Sequence, residues 1–300
     1  MKLLDFGSLN IDHVYRLERM VREGETIAAG EYQKNAGGKG LNQAIALRKA
    51  GAEVFMAGAV GQEGGFLLQF LAEQGVDTRH VRTLDAPTGH ALIQVDKEGR
   101  NCIIVYGGAN RLITPDMADS ILGDFAPGDY VLLQNEISSI DHILRSAHQR
   151  GLRVIINPSP ITQGLLHAPL HLADWLILNE TEGHELSGES QADAILDKLI
   201  KRFPGCRFVL TLGEAGSIYA DKEMRVKQPA FMVPAVDTTA AGDTFTGYFL
   251  ESVMRGEPIE RALLRASKAS SITVSRPGAG QSIPHASEVE LALQDTGSAG

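Results

Sequence analysis

Val154-Ile155-Ile156, Trp175-Leu176-Ile177-Leu178 and Phe208-Val209-Leu210 are three short, nearly all-apolar runs in a chain of 300 residues. A strand without polar alternation offers no face to water, so each must be covered on both sides, the condition of a parallel sheet between helices. The same reading continues outward. Val54–Val60 and Tyr130–Leu133 are further strands, whereas Gly40–Lys49, Phe66–Gln74 and Ile140–Gln149 carry helical spacing. Strand and helix in alternation over residues 40–220 predict an α/β fold, a central and mostly parallel sheet flanked by helices. Ala240–Met254 and Pro258–Ser270 read as two closing helices, and the last six residues, 295–300, are expected to fray.

Two regions break the alternation. Thr88–Tyr106 reads as two strands joined by the polar turn Asp96-Lys97-Glu98-Gly99-Arg100, and residues 14–36 show no helical pattern. They fit a small antiparallel sheet standing off the core and covering a site, or equally two ordinary surface excursions. With the first reading the core is 1–13, 37–87 and 108–294, and the small sheet is 14–36 with 88–107.

Composition excludes other classes. With 43% hydrophobic and 22% charged residues the chain has an ample core, which rules out a disordered or fibrous protein. The formal net charge of -9 would repel nucleic acid and anionic lipid, so neither is expected as a partner. Two cysteines, Cys102 and Cys206, make no disulfide framework; no secretory leader or membrane span is read, and a cytoplasmic setting is expected. Glycine is in excess, 32 residues against an average usage of about 7%, so tight turns or close approach of backbone to a ligand are to be expected.

Two glycine-rich stretches carry chemistry. Asn35-Ala36-Gly37-Gly38-Lys39-Gly40-Leu41-Asn42 opens directly into a helical pattern, serving either as a plain helix-capping turn or as a place where backbone crowds a ligand. It lacks the Ser or Thr of a Walker A loop and the spacing of a dinucleotide fingerprint. Val236-Asp237-Thr238-Thr239-Ala240-Ala241-Gly242-Asp243 sets small residues at a helix start, leaving N–H groups open to an anion. Asp243 is then a stabilising first-turn charge or a base beside an anion hole, a pairing suited to deprotonating a hydroxyl that attacks a phosphoryl group.

Taken together, Gly37-Gly38-Lys39-Gly40 with Asn42, and Asp237-Thr238 followed by Ala240-Ala241-Gly242-Asp243, resemble the two signatures of the ribokinase family of carbohydrate kinases. The likeness extends to Gly7-Ser8-Leu9-Asn10-Ile11-Asp12, Asn179-Glu180-Thr181-Glu182 and Thr211-Leu212-Gly213-Glu214-Ala215-Gly216, and so covers nearly the whole chain. It implies a ribokinase-like fold whose small β-sheet is a lid over the sugar, interlocking with that of a second subunit in a homodimer. It implies ATP-dependent phosphorylation of a sugar's primary hydroxyl, with D-ribose giving ribose 5-phosphate. Asp243 would be the general base, and the N–H groups of Ala240, Ala241, Gly242 and Asp243 would stabilise the transferring group. Asn10, Asp12, Gly38, Lys39, Asn42 and Glu136 would hold the sugar. Asn179, Thr211, Gly213, Gly216 and Gly242 would bind ATP, with Glu182 reaching Mg2+ through water. Asp237, Thr239, Thr273, Arg276, Gly278 and Ser282 would surround K+.

On its own, Asn-x-x-Glu is as much a helix cap as a metal motif, and the loop Pro277-Gly278-Ala279-Gly280-Gln281 can simply pack. Two residues depart from the family pattern, Ala36 before the glycines and Asn135 before Glu136. They leave deoxyribose, fructose or 2-keto-3-deoxygluconate as alternative substrates; a non-catalytic sugar-binding regulator is an alternative class, but it would be marked by loss of Asp243 or Gly242, and both are present. His167 and His171 lack a third metal ligand, Cys102 and Cys206 are read as packing groups, and Trp175 as core.

Overall fold

The computed structural model describes residues 1–297; positions 298–300, part of the tail expected to fray, lie outside the described residues. In chain order the elements are β1 (Leu3–Phe6), β2 (Asn10–Leu17), β3 (Glu31–Gly37), α1 (Lys39–Ala50), β4 (Val54–Val60), α2 (Gly65–Glu73), β5 (Asp77–Thr83), β6 (Gly89–Asp96), β7 (Asn101–Tyr106), α3 (Pro115–Leu122), β8 (Tyr130–Gln134) and α4 (Ile140–Gln149). There follow β9 (Arg153–Asn157), α5 (Gln163–His167), β10 (Trp175–Asn179), α6 (Glu180–Ser187), α7 (Ala192–Arg202), β11 (Arg207–Thr211), β12 (Ser217–Ala220), β13 (Arg225–Gln228), α8 (Ala241–Met254), α9 (Ile259–Val274) and α10 (Ala286–Gly297).

Nine strands form the main sheet in the order β13-β12-β11-β10-β9-β8-β1-β4-β5. All its pairings are parallel except those of β12 and β13 at one edge. Both faces are buried, as the unbroken apolar runs require. Leu4, Phe6, Val131, Leu133 and Ile156 join a cluster with α3, α4, α6 and α7, and Leu3, Leu132, Ile155, Ile177 and Val209 join one with α1, α2, α8 and α9. The strand order reverses at β1, which lies between β8 and β4; ligands of open α/β sheets bind at the carboxyl ends of strands beside such a reversal.

Two close approaches bring α1 and α8 to that point. A Cβ on Gly40 would fall 2.6 Å from the Ser8 nitrogen, so α1 begins directly against the end of β1. A Cβ on Gly247 would overlap the Ala46 side chain and come within 2.7 Å of the Leu47 nitrogen, so α8 lies against α1 with no side chain between.

The second sheet has the order β3-β2-β6-β7. It consists of two antiparallel pairs, β2 with β3 and β6 with β7, joined by a parallel pairing of β2 with β6. The two hairpins come from separate segments, which is why the sheet is mixed where the sequence suggested purely antiparallel pairing. It also begins at Asn10, four residues before the limit read from sequence, because Asn10 pairs across to Gly37 and Gly89. Asn10 and Asp12 therefore stand on this sheet and not on the core. β7 is exposed along its whole length. Cys102, expected to pack, lies on it and is exposed, whereas Cys206 and Trp175 are buried. At the carboxyl end α10 continues to Gly297, three residues into the stretch expected to fray.

Candidate active site

Polar side chains gather at the carboxyl ends of β1, β8, β9 and β10 and at the starts of α1 and α8. Asp243 occupies the first turn of α8 and is 8% exposed. Asn42 Nδ2 donates to its Oδ2 at 3.2 Å and Gln43 Nε2 to its Oδ1 at 2.8 Å. Ala240, which opens α8, has φ 60°, a left-handed conformation uncommon outside glycine, and no side chain caps the helix. The N–H of Ala241 bonds the Thr238 carbonyl at 3.3 Å. Ala240, Gly242 and Asp243 keep their N–H groups without an acceptor among the described residues and so open to an anion; of the four residues expected, Ala241 has its N–H engaged.

The sugar-side candidates converge on the same point. Ser8 Oγ donates to Glu136 Oε2, and the Lys39 N–H donates to the same oxygen at 3.3 Å. Asn10 Oδ1 accepts from Asn110 Nδ2 at 2.8 Å. Gly37 leaves no room for a side chain because Asp12's carboxylate occupies that space, and Gly38, at φ 99°, would place a Cβ 2.8 Å from the Ser8 carbonyl oxygen. Burial and then the neighbouring Glu136 carboxylate raise Asp12 to a pKa of about 7. Burial alone would lower Lys39, but the carboxylates of Asp243, Glu136 and Glu182 outweigh it and hold the ammonium above its ordinary value. Lys39 therefore stands between the two halves of the site.

Beside Asp243 lies a cavity of about 250 Å³ lined by Lys39, Asn157, Asn179, Glu182, Thr238 and Gly242, among others. Thr211, Thr238, Ala241 and Gly242 also line a second cavity of about 280 Å³, which runs past Gly213 and Gly216 to Phe231, Val233, Phe245 and Val274. A polar chamber opening into a largely apolar one suits a polyphosphate followed by a flat heterocycle. Asn179 and Glu182 form a reciprocal capping box on α6, each side chain bonding the other's backbone N–H at 2.9 Å. The box consumes one Glu182 oxygen, and the residue still lines the polar chamber.

The six residues assigned to K+ lie on two segments that are tied together. Asp237 accepts the N–H of Thr239 at 2.9 Å and of Gly278 at 3.0 Å, and the Val236 and Asp237 N–H groups both bond the Val274 carbonyl. Asp237 is held below the ordinary carboxylate range: burial pushes it up, but these donors outweigh it. Thr273 instead faces α8, where its hydroxyl lies 3.0 Å from that of Thr244. Arg276 pairs with Glu288, and Ser282 bonds the Ala279 carbonyl. Asn135 turns away from the sugar-side residues, donating to the Pro160 carbonyl and to Thr162 Oγ1. Among the described residues no three His, Cys, Asp or Glu side chains cluster as metal ligands, His167 and His171 included.

Sequence reading missed Asp5, Ser8, Gln43, Asn110, Gln134, Asn157 and the apolar chamber around Phe231. Three of these had a signal. Asp5 interrupts β1, while Gln134 and Asn157 close the apolar runs of β8 and β9, where a side chain at the carboxyl end faces the ligand crevice.

Known proteins share this sequence pattern and fold. The pattern of the pfkB family carbohydrate kinases matches residues 2–286. A ribokinase of Staphylococcus aureus (strain COL) is 36% identical over 96% of this chain and 98% of its own length. Ribokinase from Thermotoga maritima superposes with a TM-score of 0.88 at 32% identity, covering 98% of this chain and 99% of that one. Arabidopsis thaliana ribokinase complexed with ribose and ATP gives 0.84 at 31% identity, covering 97% and 98%.

Proposed function

The chain belongs to the pfkB family of carbohydrate kinases, and from that membership we propose that it transfers the γ-phosphoryl group of ATP to the primary hydroxyl of D-ribose. The observation that carries this reading is the placement of Asp243: a buried carboxylate in the first turn of an uncapped helix, between the sugar-side residues and the polar chamber. Asp243 takes the hydroxyl proton as that oxygen attacks the γ-phosphorus, and ADP departs into the chamber. The N–H groups of Gly242 and Asp243, with Lys39, stabilise charge on the transferring group. Asn10, Asp12, Gly38, Asn42 and Glu136 pair the remaining hydroxyls, which must all be satisfied once water is excluded.

Asn179, Thr211, Gly213, Gly216 and Gly242 line the two chambers and would hold ATP. Mg2+ fits this donor set through water, since Glu182 lines the polar chamber outside any cluster of metal ligands among the described residues, and the hydrated ion would neutralise phosphate charge. The tie between residues 236–239 and 273–282 suits a shared K+, with Asp237 supplying the charge. The exposed Ile103, Ile104, Val105 and Tyr106 on β7 support a homodimer through this sheet, acting as a lid. Two free cysteines support a cytoplasmic setting. Coupled ATP-turnover assays over ribose, deoxyribose, fructose and 2-keto-3-deoxygluconate, with and without K+, test the substrate. Ribose is expected to give the highest kcat/KM, and equal or lower values for it would sink the assignment.

The state of Asp12 gives a pH dependence. With a pKa of about 7 it carries a proton in mildly acid solution, whereas accepting sugar hydroxyls through both of its oxygens requires the carboxylate. Ribose affinity should then fall about tenfold between pH 8 and pH 6. In Asp12→Asn the affinity is weaker and flat across that range; calorimetric titration at the two pH values checks both. The same shift works against the ligand-free fold in the opposite sense. Folded protein holds this proton from about pH 4 to pH 7 while unfolded chain has lost it, so the Asp12 contribution to stability declines as pH rises through that window.

A further inference from the structure

Asp5 lies in the middle of β1, between β4 and β8, and is fully buried. Its strand neighbours are Leu3, Leu4 and Phe6, so an apolar side chain would fill the position without the cost of desolvating a carboxyl group. Its surroundings show what the carboxyl does. Gln134 Nε2 donates to Asp5 Oδ1 at 2.9 Å and to Gln43 Oε1 at 2.8 Å. Gln43 Nε2 in turn donates to Asp243 Oδ1 at 2.8 Å and to Asn157 Oδ1 at 3.1 Å. Each amide nitrogen has two N–H groups, and both are spent in both residues.

Two atoms of this network are buried without a partner, Asp5 Oδ2 and Gln134 Oε1. Both are acceptors while Asp5 is ionised, and a proton on Asp5 would supply this buried pair with the donor it lacks. Burial raises the carboxyl well above its ordinary range; the Gln134 donor offsets part of that effect, and the negative charge of Asp243 adds a smaller upward push.

We propose that Asp5 is a positioning residue for the base: as a neutral carboxylic acid it anchors Gln134, whose second N–H group holds Gln43 with Nε2 turned onto Asp243. If Gln134 turned over, its oxygen would face the Gln43 oxygen and release that amide. A released Gln43 could present its carbonyl to the Asp243 carboxylate, tilting the base and disfavouring its ionised form. The inference rests on Asp243 being the base, and Asp5 touches neither sugar nor nucleotide.

The test has a spectroscopic arm and a kinetic arm. In protein labelled with 13C at aspartate, the Asp5 carboxyl resonance, assigned by its loss in Asp5→Asn, should report a protonated acid at neutral pH. An ionised resonance overturns the proposal, and this readout is independent of the reaction catalysed. Asp5→Asn can offer Gln134 both an acceptor and a donor, as the neutral acid does, and should keep most of kcat, with the acid limb of its pH profile unmoved. Asp5→Leu cannot, and its kcat should fall about tenfold with ribose Kd unchanged. If the leucine variant does not fold, Gln134→Met cuts the same link and should show the same loss. Wild-type kcat in a variant that cuts the link, or an equal loss in Asp5→Asn, overturns the positioning role. Failure of Asp243 as base would show separately, as an active Asp243→Asn enzyme.

Discussion

Asp243→Asn is expected to fold, to bind ribose within a few-fold of the parent protein, and to lose about 10³-fold in kcat, within the usual range for removal of a general base. The fold should survive because the neighbours can adapt. Gln43 still donates to an amide oxygen at the Oδ1 position. The amide of Asn42 faces Asp243 through Nδ2, and its own Oδ1 is buried without a partner. Turning the Asn42 amide over would offer that oxygen to the N–H group introduced at position 243 and replace one bond by another. The substitution therefore removes the proton acceptor and little else. Steady-state kinetics with calorimetric ribose binding checks the split, and near-normal kcat would remove Asp243 from the base role.

The second large effect is expected at Gly242. A Cβ there meets nothing within 4 Å, so the position is open space bordering both chambers. Gly242→Leu should fill the approach to the free N–H groups without disturbing the protein. Since glycine is a poor helix residue, thermal stability should hold or rise slightly. Turnover should fall by about 10²–10³-fold, the magnitude attached to losing an anion-stabilising donor. A variant that unfolds at lower temperature would contradict the reading of that space as empty, and one with unchanged kcat would contradict its use by the phosphoryl group.

The middle of the main sheet was legible because β4, β8, β9, β10 and β11 are buried on both faces and carry no polar alternation, whereas the polar, partly exposed edge strands β5 and β13 were not read. Val54–Val60 and Ile140–Gln149 have in the structure the limits read from their patterns. The second sheet was harder to delimit. Its strands mix polar and apolar residues, and the start of β2 depends on pairing with the distant Gly37 and Gly89. In the site, the glycine stretches were visible as composition, but the network behind the base was not. Asp5, Gln43, Gln134 and Asn157 are far apart in the chain and meet only because β1, β8 and β9 are neighbours beneath α1. Phe231 and Val233 lie in a stretch without regular structure, where periodicity offers no clue to the apolar chamber they line. The net charge of -9 also reads differently with the site in view. On the proposed function, anion recognition is local, from a helix start and one lysine among carboxylates, and needs no basic surface.

The most direct measurement is the product formed from ATP and D-ribose, followed by phosphorus NMR. The account predicts ADP and ribose bearing phosphate on its primary hydroxyl, formed by the parent protein and almost abolished in Asp243→Asn. Phosphate on another hydroxyl, ADP with free inorganic phosphate, or no consumption of ribose would contradict it.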